Sequence, residues 1–144
     1  MGQKEEIAQE MSFLVPTFIR HMFPYVFSPM DLPPSQVIAL VAICEHERCT
    51  LTQLREEMHV SAPTVTGIVN RLERDGYLKR QASEKDRRVT YVLLTDKGEK
   101  LIKVFRENIR KRWFHVLSKM PVLFAMTLIK SLRRITQGFK DGTI

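Results

Sequence analysis

The chain has 144 residues, 44% of them hydrophobic and 27% charged, with a formal net charge of +7. This size and composition are typical of one soluble globular domain, and the chain contains no apolar run of about 18 residues that would span a membrane. Two cysteines are too few for a disulfide framework, and the charged N-terminus lacks the apolar centre of a signal peptide, so the cytoplasm is the expected location.

The first part of the chain predicts two helices. Apolar residues recur in steps of three and four over residues 4–27, which is the period of an amphipathic helix. Pro16 lies inside this stretch and predicts a kink or a break into two segments. A second helix is expected over about 34–46, with Asp31 or Ser35 as its cap. Its buried face is predicted to contain Val37, Leu40, Val41 and Cys44.

A short helix and a turn are predicted over residues 50–60. Thr50 and Gln53 form a capping-box pattern at the start of the helix. The dipeptide His59-Val60 then turns the chain. The inward residues of this helix are expected to be Leu51, Leu54 and Met58.

The next helix begins at Ser61, a favourable N-cap residue, with Pro63 in its first turn. It is expected to end at Asp75-Gly76, because Gly76 can adopt the left-handed conformation that often follows a helix. The pattern predicts a buried stripe made of Val65, Ile68, Val69 and Leu72.

Two strands, Tyr77–Gln81 and Val89–Thr95, are predicted next, with a charged loop between them. Thr95 then caps a long helix over about 96–118, and Pro121 separates this helix from a last one. The apolar side of the long helix is expected to consist of Leu101, Val104, Phe105, Ile109, Phe114 and Leu117.

This order of elements predicts a mainly α fold with a small β-wing. A winged helix-turn-helix over about 33–98 is flanked by helices over about 4–30 and 99–140, and the whole chain, 1–144, is expected to form a single domain. The flanking helices are apolar on one side, which a lone monomer would leave poorly covered. A symmetric homodimer joined through these helices is therefore expected.

The outward side of the helix that begins at Ser61 supplies candidates for contact with double-stranded DNA. Small hydroxyl residues near its N-terminus permit close approach to base edges. Asn70 and Arg71 can form bidentate hydrogen bonds with adenine or guanine, or can bind phosphate. The alternative is the solvated face of an ordinary helix. The candidates are Ser61, Pro63, Thr64, Thr66, Gly67, Asn70, Arg71 and Arg74.

The loop between the two strands supplies a second group of candidates, namely Lys85, Asp86, Arg87 and Arg88. A long arginine there could enter the minor groove or contact the DNA backbone. Asp86 would repel phosphate, so we expect it to hold Arg88 or Arg87 through a charge-assisted hydrogen bond. Residues 61–144 carry a net charge of +11 and residues 1–60 a net charge of −4, which favours a polyanionic partner for this half.

Three segments within about residues 31–98 resemble the MarR family of bacterial transcription regulators: DLPPSQVIALVAI, LTQLREEMHVSAPTVTGIVNRLERDGYLKR and DRRVTYVLLTDKG. The resemblance implies a triangular homodimer that binds a palindromic operator, usually as a repressor. It makes Ser61–Arg74 the recognition helix and matches Asp86 and Arg88 to the family's Asp-x-Arg wing pair. Gly67 departs from the pattern, because relatives often carry a larger, frequently basic residue there.

The resemblance also implies an effector, since small phenolic or other apolar ligands often bind such regulators between the dimerisation helices and the DNA-binding lobe. Some members instead sense oxidants through cysteine or bind zinc. Here Cys44 is expected to be buried and structural, whereas Cys49 lies in a polar turn and would be reactive if exposed. Its neighbours Glu45 and Glu47 are expected to raise its pKa. The four histidines lack paired ligand spacing, so no metal and no cofactor is predicted.

These residues bear on three classes of function. A DNA-binding regulator released by a small effector is favoured, and a cysteine-based redox-responsive regulator is its alternative. A winged helix that binds only proteins is a further alternative, because fold does not determine function. No arrangement of nucleophile and base, phosphate-binding glycine loop or carboxylate pair stands out, so the chain is not expected to be an enzyme.

Overall fold

The structure, a computed structural model, describes residues 2–144 and is mainly helical with a small antiparallel sheet, which confirms the predicted fold class. The chain forms two compact units, one that ends at Arg106 and one that spans Glu107–Ile144. The elements in chain order are α1 (Gln3–Phe27), α2 (Pro34–Cys44), β1 (Cys49–Thr50), α3 (Leu51–Met58), α4 (Ala62–Arg74), β2 (Leu78–Ala82), β3 (Thr90–Leu94), α5 (Asp96–Leu117) and α6 (Val122–Asp141). The single domain over 1–144 stays a prediction.

The core of the first unit lies beneath α4. The four predicted inward residues of this helix are all buried, and Val69 and Leu72 are completely inaccessible to solvent. Each such side chain contributes about 1.5–3 kcal/mol when it leaves water. The rest of the core comes from every neighbouring element, with Leu40, Ile43, Cys49, Leu54, Leu78, Val92 and Ile102 among its members.

The sheet has three strands in the order β1-β3-β2, and both pairings are antiparallel. The hairpin pairs Leu78 with Leu94 at one end and Ala82 with Thr90 at the other. Its strands begin one residue later than predicted. The additional strand β1 pairs Cys49 with Val92. A two-residue strand has no alternation to detect, so the sequence did not predict it.

Local caps fix the ends of α3 and α4 as predicted. The Gln53 amide donates to Thr50 Oγ1 at 3.1 Å, and the Thr50 amide donates to Gln53 Oε1 at 2.9 Å, which completes the capping box. Gly76 follows α4 with φ of 79°, in the left-handed region where a side chain would be strained. These bonds are formed within a few residues of the chain, and sequence pattern alone was enough to predict them.

The start of α5 is tied to the end of α4. The Thr95 hydroxyl donates to the Gly76 carbonyl at 2.6 Å and accepts the Gly98 amide at 3.3 Å. Gly98 is buried so close to the backbone of Tyr77 that a Cβ at this position would lie 2.1 Å from the Tyr77 carbonyl oxygen. Glycine is therefore required where α5 crosses the entry to β2.

Two expectations about the ends and continuity of the N-terminal helices are not met. Of the two outcomes predicted at Pro16, the break into two segments does not occur: α1 is one continuous helix, because the proline removes a single N–H donor while the turns on either side retain theirs. Neither Asp31 nor Ser35 caps α2. The Pro33 carbonyl instead accepts the amides of Gln36 and Val37 at 2.9 and 3.2 Å, and the first helical residue is a proline that has no amide to satisfy.

The flanking helices expose long apolar surfaces. α1 has no buried residue, and Gly138 is the single buried residue of α6. In α5, Val104 and Phe114 are 55% and 69% exposed, although both were predicted on its apolar side. Phe27 stacks on Phe105 with ring centroids 5.7 Å apart. No helix within residues 2–144 is long and apolar enough to cross a membrane.

Two glycine substitutions test the close packing at the start of α5, and they are expected to change the free energy of unfolding in opposite directions. Gly98→Ala should lower the free energy of unfolding by about 1–3 kcal/mol, because the new methyl group collides with backbone that cannot move freely. Gly67→Ala is the matched control. A Cβ there meets nothing within 4 Å, so alanine should raise the free energy of unfolding by about 0.5–1 kcal/mol.

Urea denaturation of the three proteins at one protein concentration measures both changes. An unchanged unfolding midpoint for Gly98→Ala would contradict the close approach of α5 to Tyr77.

Candidate nucleic-acid interface

The N-terminus of α4 is built by its own first residues. Ser61 caps the helix by accepting the Thr64 amide at 3.3 Å, and the two hydroxyl oxygens lie 2.7 Å apart. Pro63 occupies the first turn, where the helix does not need its missing amide. All three side chains are exposed. This turn therefore presents small polar groups on a helix end that suits negative charge.

The predicted contact residues of α4 lie together on the side opposite its buried stripe. Gly67 is half-buried, and the space above it is open. The recognition surface, as we call this side of α4, exposes Ser61, Pro63, Thr64, Thr66, Asn70, Arg71 and Arg74. Because the opposite side is sealed against the core, the recognition surface has a fixed orientation relative to β2 and β3.

Arg80 was not among the site residues predicted from the sequence. Arg80 of β2 donates through Nη2 to Asn70 Oδ1 at 2.7 Å, and its Nη1 donates to Glu73 Oε2. Strand alternation places Arg80 on the same face as the buried Leu78. That alternation was the available signal, because it points Arg80 toward α4 rather than into solvent.

The C-terminal end of α4 carries further charge contacts. Arg74 Nε donates to Asp75 Oδ1 at 3.0 Å, and this hydrogen bond and the aspartate charge raise the pKa of Arg74. Lys97 donates to the Asp75 carbonyl at 2.7 Å, and its Nζ lies 4.2 Å from the centre of the Tyr77 ring. A cation at the negative end of a helix is favourable. These contacts hold the end of α4 in place.

The wing turn is organised by Asp86. Its carboxylate accepts the backbone amide of Arg88 at 2.9 Å, and its carbonyl accepts the Val89 amide at 3.0 Å. The partner was predicted correctly, but the bond goes to the backbone of Arg88 and not to its guanidinium. The Ser83 hydroxyl accepts the Lys85 and Asp86 amides at 3.3 Å each. Asp86 thus stiffens the turn and leaves the arginine side chains extended into solvent.

The three wing cations, Lys85, Arg87 and Arg88, are exposed. Among the residues that the structure describes, no carboxylate forms an ion pair with any of them. Arg80 differs, since it is half-buried and paired with Glu73. The wing therefore offers positive charge that is available to an outside anion.

Cys44 is less buried than predicted, and Cys49 lies in a strand rather than in a polar turn. Cys49 is fully buried because β1 inserts it into the core beside Val92, whereas Cys44 at the end of α2 is half-buried. Burial, with a smaller contribution from the charge of Glu57, raises the pKa of the Cys49 thiol to about 11. The expected influence of Glu45 and Glu47 is not among these causes. A thiol with this pKa is almost entirely protonated near neutral pH and reacts slowly.

Histidine, cysteine and carboxylate side chains do not gather into a group of three suited to a metal ion anywhere in residues 2–144.

Comparison with known proteins identifies the fold and the family. A sequence profile described as MarR family matches residues 30–89. The transcriptional regulator FarR of Neisseria gonorrhoeae is 30% identical over 109 residues, which cover 74% of this chain and 73% of FarR. The chain belongs to the MarR family. The prediction that the chain is not an enzyme agrees with this family and with FarR, which is named as a transcriptional regulator.

Two regulators of Bacillus subtilis are also similar. YfiV is 32% identical over 55% of this chain, and the match spans 49% of YfiV, about half its length. The transcriptional repressor MdtR is 24% identical over 95% of this chain and 92% of its own.

Solved structures agree on the fold. A MarR family protein from Bacillus stearothermophilus superposes with a TM-score of 0.82 at 22% identity, covering 97% of this chain and 99% of that chain. Bordetella bronchiseptica BpsR, whose DNA binding is regulated by 6-hydroxynicotinic acid, gives a TM-score of 0.70 at 18% identity over 88% of this chain and 98% of its own. At these identities the likeness establishes the winged-helix fold alone.

The burial of Cys49 predicts a simple pattern of thiol reactivity. With Ellman's reagent at pH 8, reaction of Cys44 in the folded protein should release one equivalent of thionitrobenzoate quickly, and reaction of Cys49 should release the second only after unfolding in guanidinium. Cys44→Ser should remove the fast phase and leave the slow one. Rapid reaction of the Cys44→Ser protein would contradict the burial of Cys49.

Proposed function

We propose that this protein is a sequence-specific DNA-binding transcription regulator of the cytoplasm. The observation that carries the proposal is the recognition surface of α4, held at a fixed angle beside a stiff wing turn with three unpaired cations. An α-helix fits the major groove, and a basic loop beside it can contact phosphate or the minor groove. The named regulators among its relatives support the same function.

The proposed division of contacts follows from side-chain chemistry. The small residues Ser61, Thr64 and Thr66 allow α4 to approach base edges, while Arg71 supplies a donor fork for guanine or phosphate. Lys85, Arg87 and Arg88 neutralise phosphates and release counterions, a contribution that falls steeply with salt. The open space at Gly67 leaves one position of the groove without a protein contact.

Operator binding is proposed to require a homodimer. The exposed apolar side of α1 includes Phe18 and Phe23, and that of α6 includes Phe124, Ile129 and Leu132. Large, contiguous apolar surfaces that are exposed on a monomer usually mark an interface. A two-fold axis would place two copies of α4 on half-sites about one helical turn of DNA apart, which requires a palindromic operator. Repression is the proposed outcome, as in MdtR by its name.

Release from the operator is proposed to follow binding of a small apolar or phenolic effector. BpsR, a structural relative, is regulated by 6-hydroxynicotinic acid, a small aromatic acid. Such a ligand acts by preferring a dimer whose two recognition helices no longer match the half-sites. Oxidant sensing by Cys49 is disfavoured, because the buried, protonated thiol is a poor nucleophile.

A gel-shift titration against DNA upstream of the protein's own gene tests the proposal, with a random duplex of equal length as the control. Tighter binding to the upstream DNA, and a steep loss of affinity between about 50 and 200 mM salt, are expected. Equal affinity for both duplexes would refute sequence specificity. Partner binding that hardly responds to salt would favour the alternative of a winged helix that binds only proteins.

Removal of one wing cation should weaken operator binding. Arg88→Ala should cost about 1–3 kcal/mol of binding free energy at fixed salt, because one phosphate or minor-groove contact is lost. Lys4→Ala, at the exposed start of α1, removes the same charge outside the winged helix and serves as the control. An Arg88→Ala protein that binds as tightly as the Lys4→Ala protein would contradict the assignment of the wing.

A charge on the apolar side of α6 should separate the dimer. Leu132→Asp buries an unpaired carboxylate in the proposed interface and should raise the dimer dissociation constant at least about 100-fold. Ser131→Asp adds the same charge at the neighbouring exposed position and should leave association nearly unchanged. Sedimentation equilibrium measures both, and a dimeric Leu132→Asp protein would exclude this side of α6 from the interface.

A further inference from the structure

Arg80 is the one arginine of the winged helix whose two terminal nitrogens both contact the recognition helix. It enters from β2, on the strand face that also carries the buried Leu78, and its side chain is 28% exposed. One terminal nitrogen donates to Glu73 and the other donates to Asn70, which lies one turn earlier on the same side of α4. The guanidinium is thus held at two points.

This arrangement determines which end of the Asn70 amide is free. A guanidinium has donors and no acceptor, so the atom of Asn70 that faces it must be the carbonyl oxygen. The amide nitrogen of Asn70 then points away from Arg80, and it has no hydrogen-bond partner among residues 2–144. Asn70 is exposed on the recognition surface.

We infer that Arg80 is a positioning residue that sets DNA specificity by turning the amide NH₂ of Asn70 toward the groove. With its oxygen turned toward Arg80, Asn70 donates to an acceptor, which we take to be N7 of a purine or a phosphate oxygen. The Asn70 oxygen faces Arg80, which occupies one of its two lone pairs, and so is not turned to accept from the adenine amino group. Of the contacts expected from sequence, the bidentate one to adenine is therefore replaced by a donor-only contact. This inference rests on the proposed function.

Glu73 explains why Arg80 is not one more phosphate contact. The carboxylate offsets the guanidinium charge, and the two bonds occupy both terminal nitrogens. A lysine could not hold both acceptors in one plane, because it lacks the fixed fork of donors. Arg80 thus acts on DNA through Asn70, whereas Arg87 and Arg88 have no such partner and can act directly.

The test uses the full chain and the duplex it binds most tightly in a selection from random sequences. Three sets of single-position changes are made in that duplex: 7-deazapurine removes N7, purine in place of adenine removes the amino group, and methylphosphonate removes a phosphate charge. Affinities are measured for the wild type and for Asn70→Ala. If Asn70→Ala abolishes the effect of one of these changes on affinity, the atom that the change removes is the atom that Asn70 contacts.

We expect the wild type to lose about two- to tenfold in affinity when one acceptor, N7 or a phosphate oxygen, is removed, and the Asn70→Ala protein to lose nothing further at that position. The deaza and methylphosphonate sets distinguish a base from a phosphate contact. A position at which removal of the adenine amino group weakens the wild type but not Asn70→Ala would overturn the inference. So would an Asn70→Ala protein that responds to every change as the wild type does.

The role of Arg80 is tested with Arg80→Met, which keeps an unbranched stem as long as that of arginine up to Nε and removes the guanidinium donors. The affinity of Arg80→Met should no longer depend on the DNA atom that Asn70 contacts, while its affinity for a random duplex at low salt should stay within about twofold of wild type. Glu73→Gln is the matched control, because glutamine still offers Arg80 an acceptor, and it should keep that sensitivity. An Arg80→Met protein with unchanged sensitivity would overturn the inference.

The base-analogue comparison between wild type and Asn70→Ala does not depend on Arg80→Met folding, and thermal unfolding of each variant shows which proteins enter the comparison. If all selected duplexes bind no tighter than random DNA, the proposed function fails and the inference fails with it. Specific binding with the wrong pattern of atoms overturns the inference alone.

Discussion

The burial of one side of α4 is the constraint on which the rest of the winged helix depends. Val65, Ile68, Val69 and Leu72 seal that side against α2, α3 and the sheet, so rotation of the helix about its axis would expose apolar surface at a cost of several kcal/mol. The opposite side can therefore be small, polar and loosely packed without losing its orientation. One side of these thirteen residues stabilises the fold, and the other carries the proposed recognition surface.

Cations in this region fall into two groups: those paired within the fold, and those without an ion-pair partner among the residues that the structure describes. Arg80, Arg74 and Lys97 are each held by an acceptor on or just after α4. Arg87 and Arg88 have none within the described chain. Asp86 shows how a carboxylate can sit among cations without neutralising them, because its hydrogen bond goes to a backbone amide. Net charge alone could not have separated the two groups.

Features encoded by neighbouring residues were predictable, and features that depend on distant contacts were not. The stripe of α4, the Thr50 capping box and the Gly76 turn all follow from spacing within about four residues. Cys49 was misplaced because its burial comes from pairing with Val92, more than forty positions later in the chain. Arg80 is an intermediate case: alternation with Leu78 points it toward α4, but its partners Asn70 and Glu73 are set by the packing of α4 against β2. Prolines were weak guides to the helix ends: Pro16 does not break α1, and the Pro33 carbonyl, not a side chain, caps α2.

The buried glycine at the start of α5 has a mechanical consequence. With Gly98 pressed against the Tyr77 carbonyl and Thr95 bonded to Gly76, the first turn of α5 cannot tilt unless the exit from α4 moves with it. α4 and the part of α5 that belongs to the first unit are therefore mechanically coupled, so that a change in the direction of one requires a change in the direction of the other.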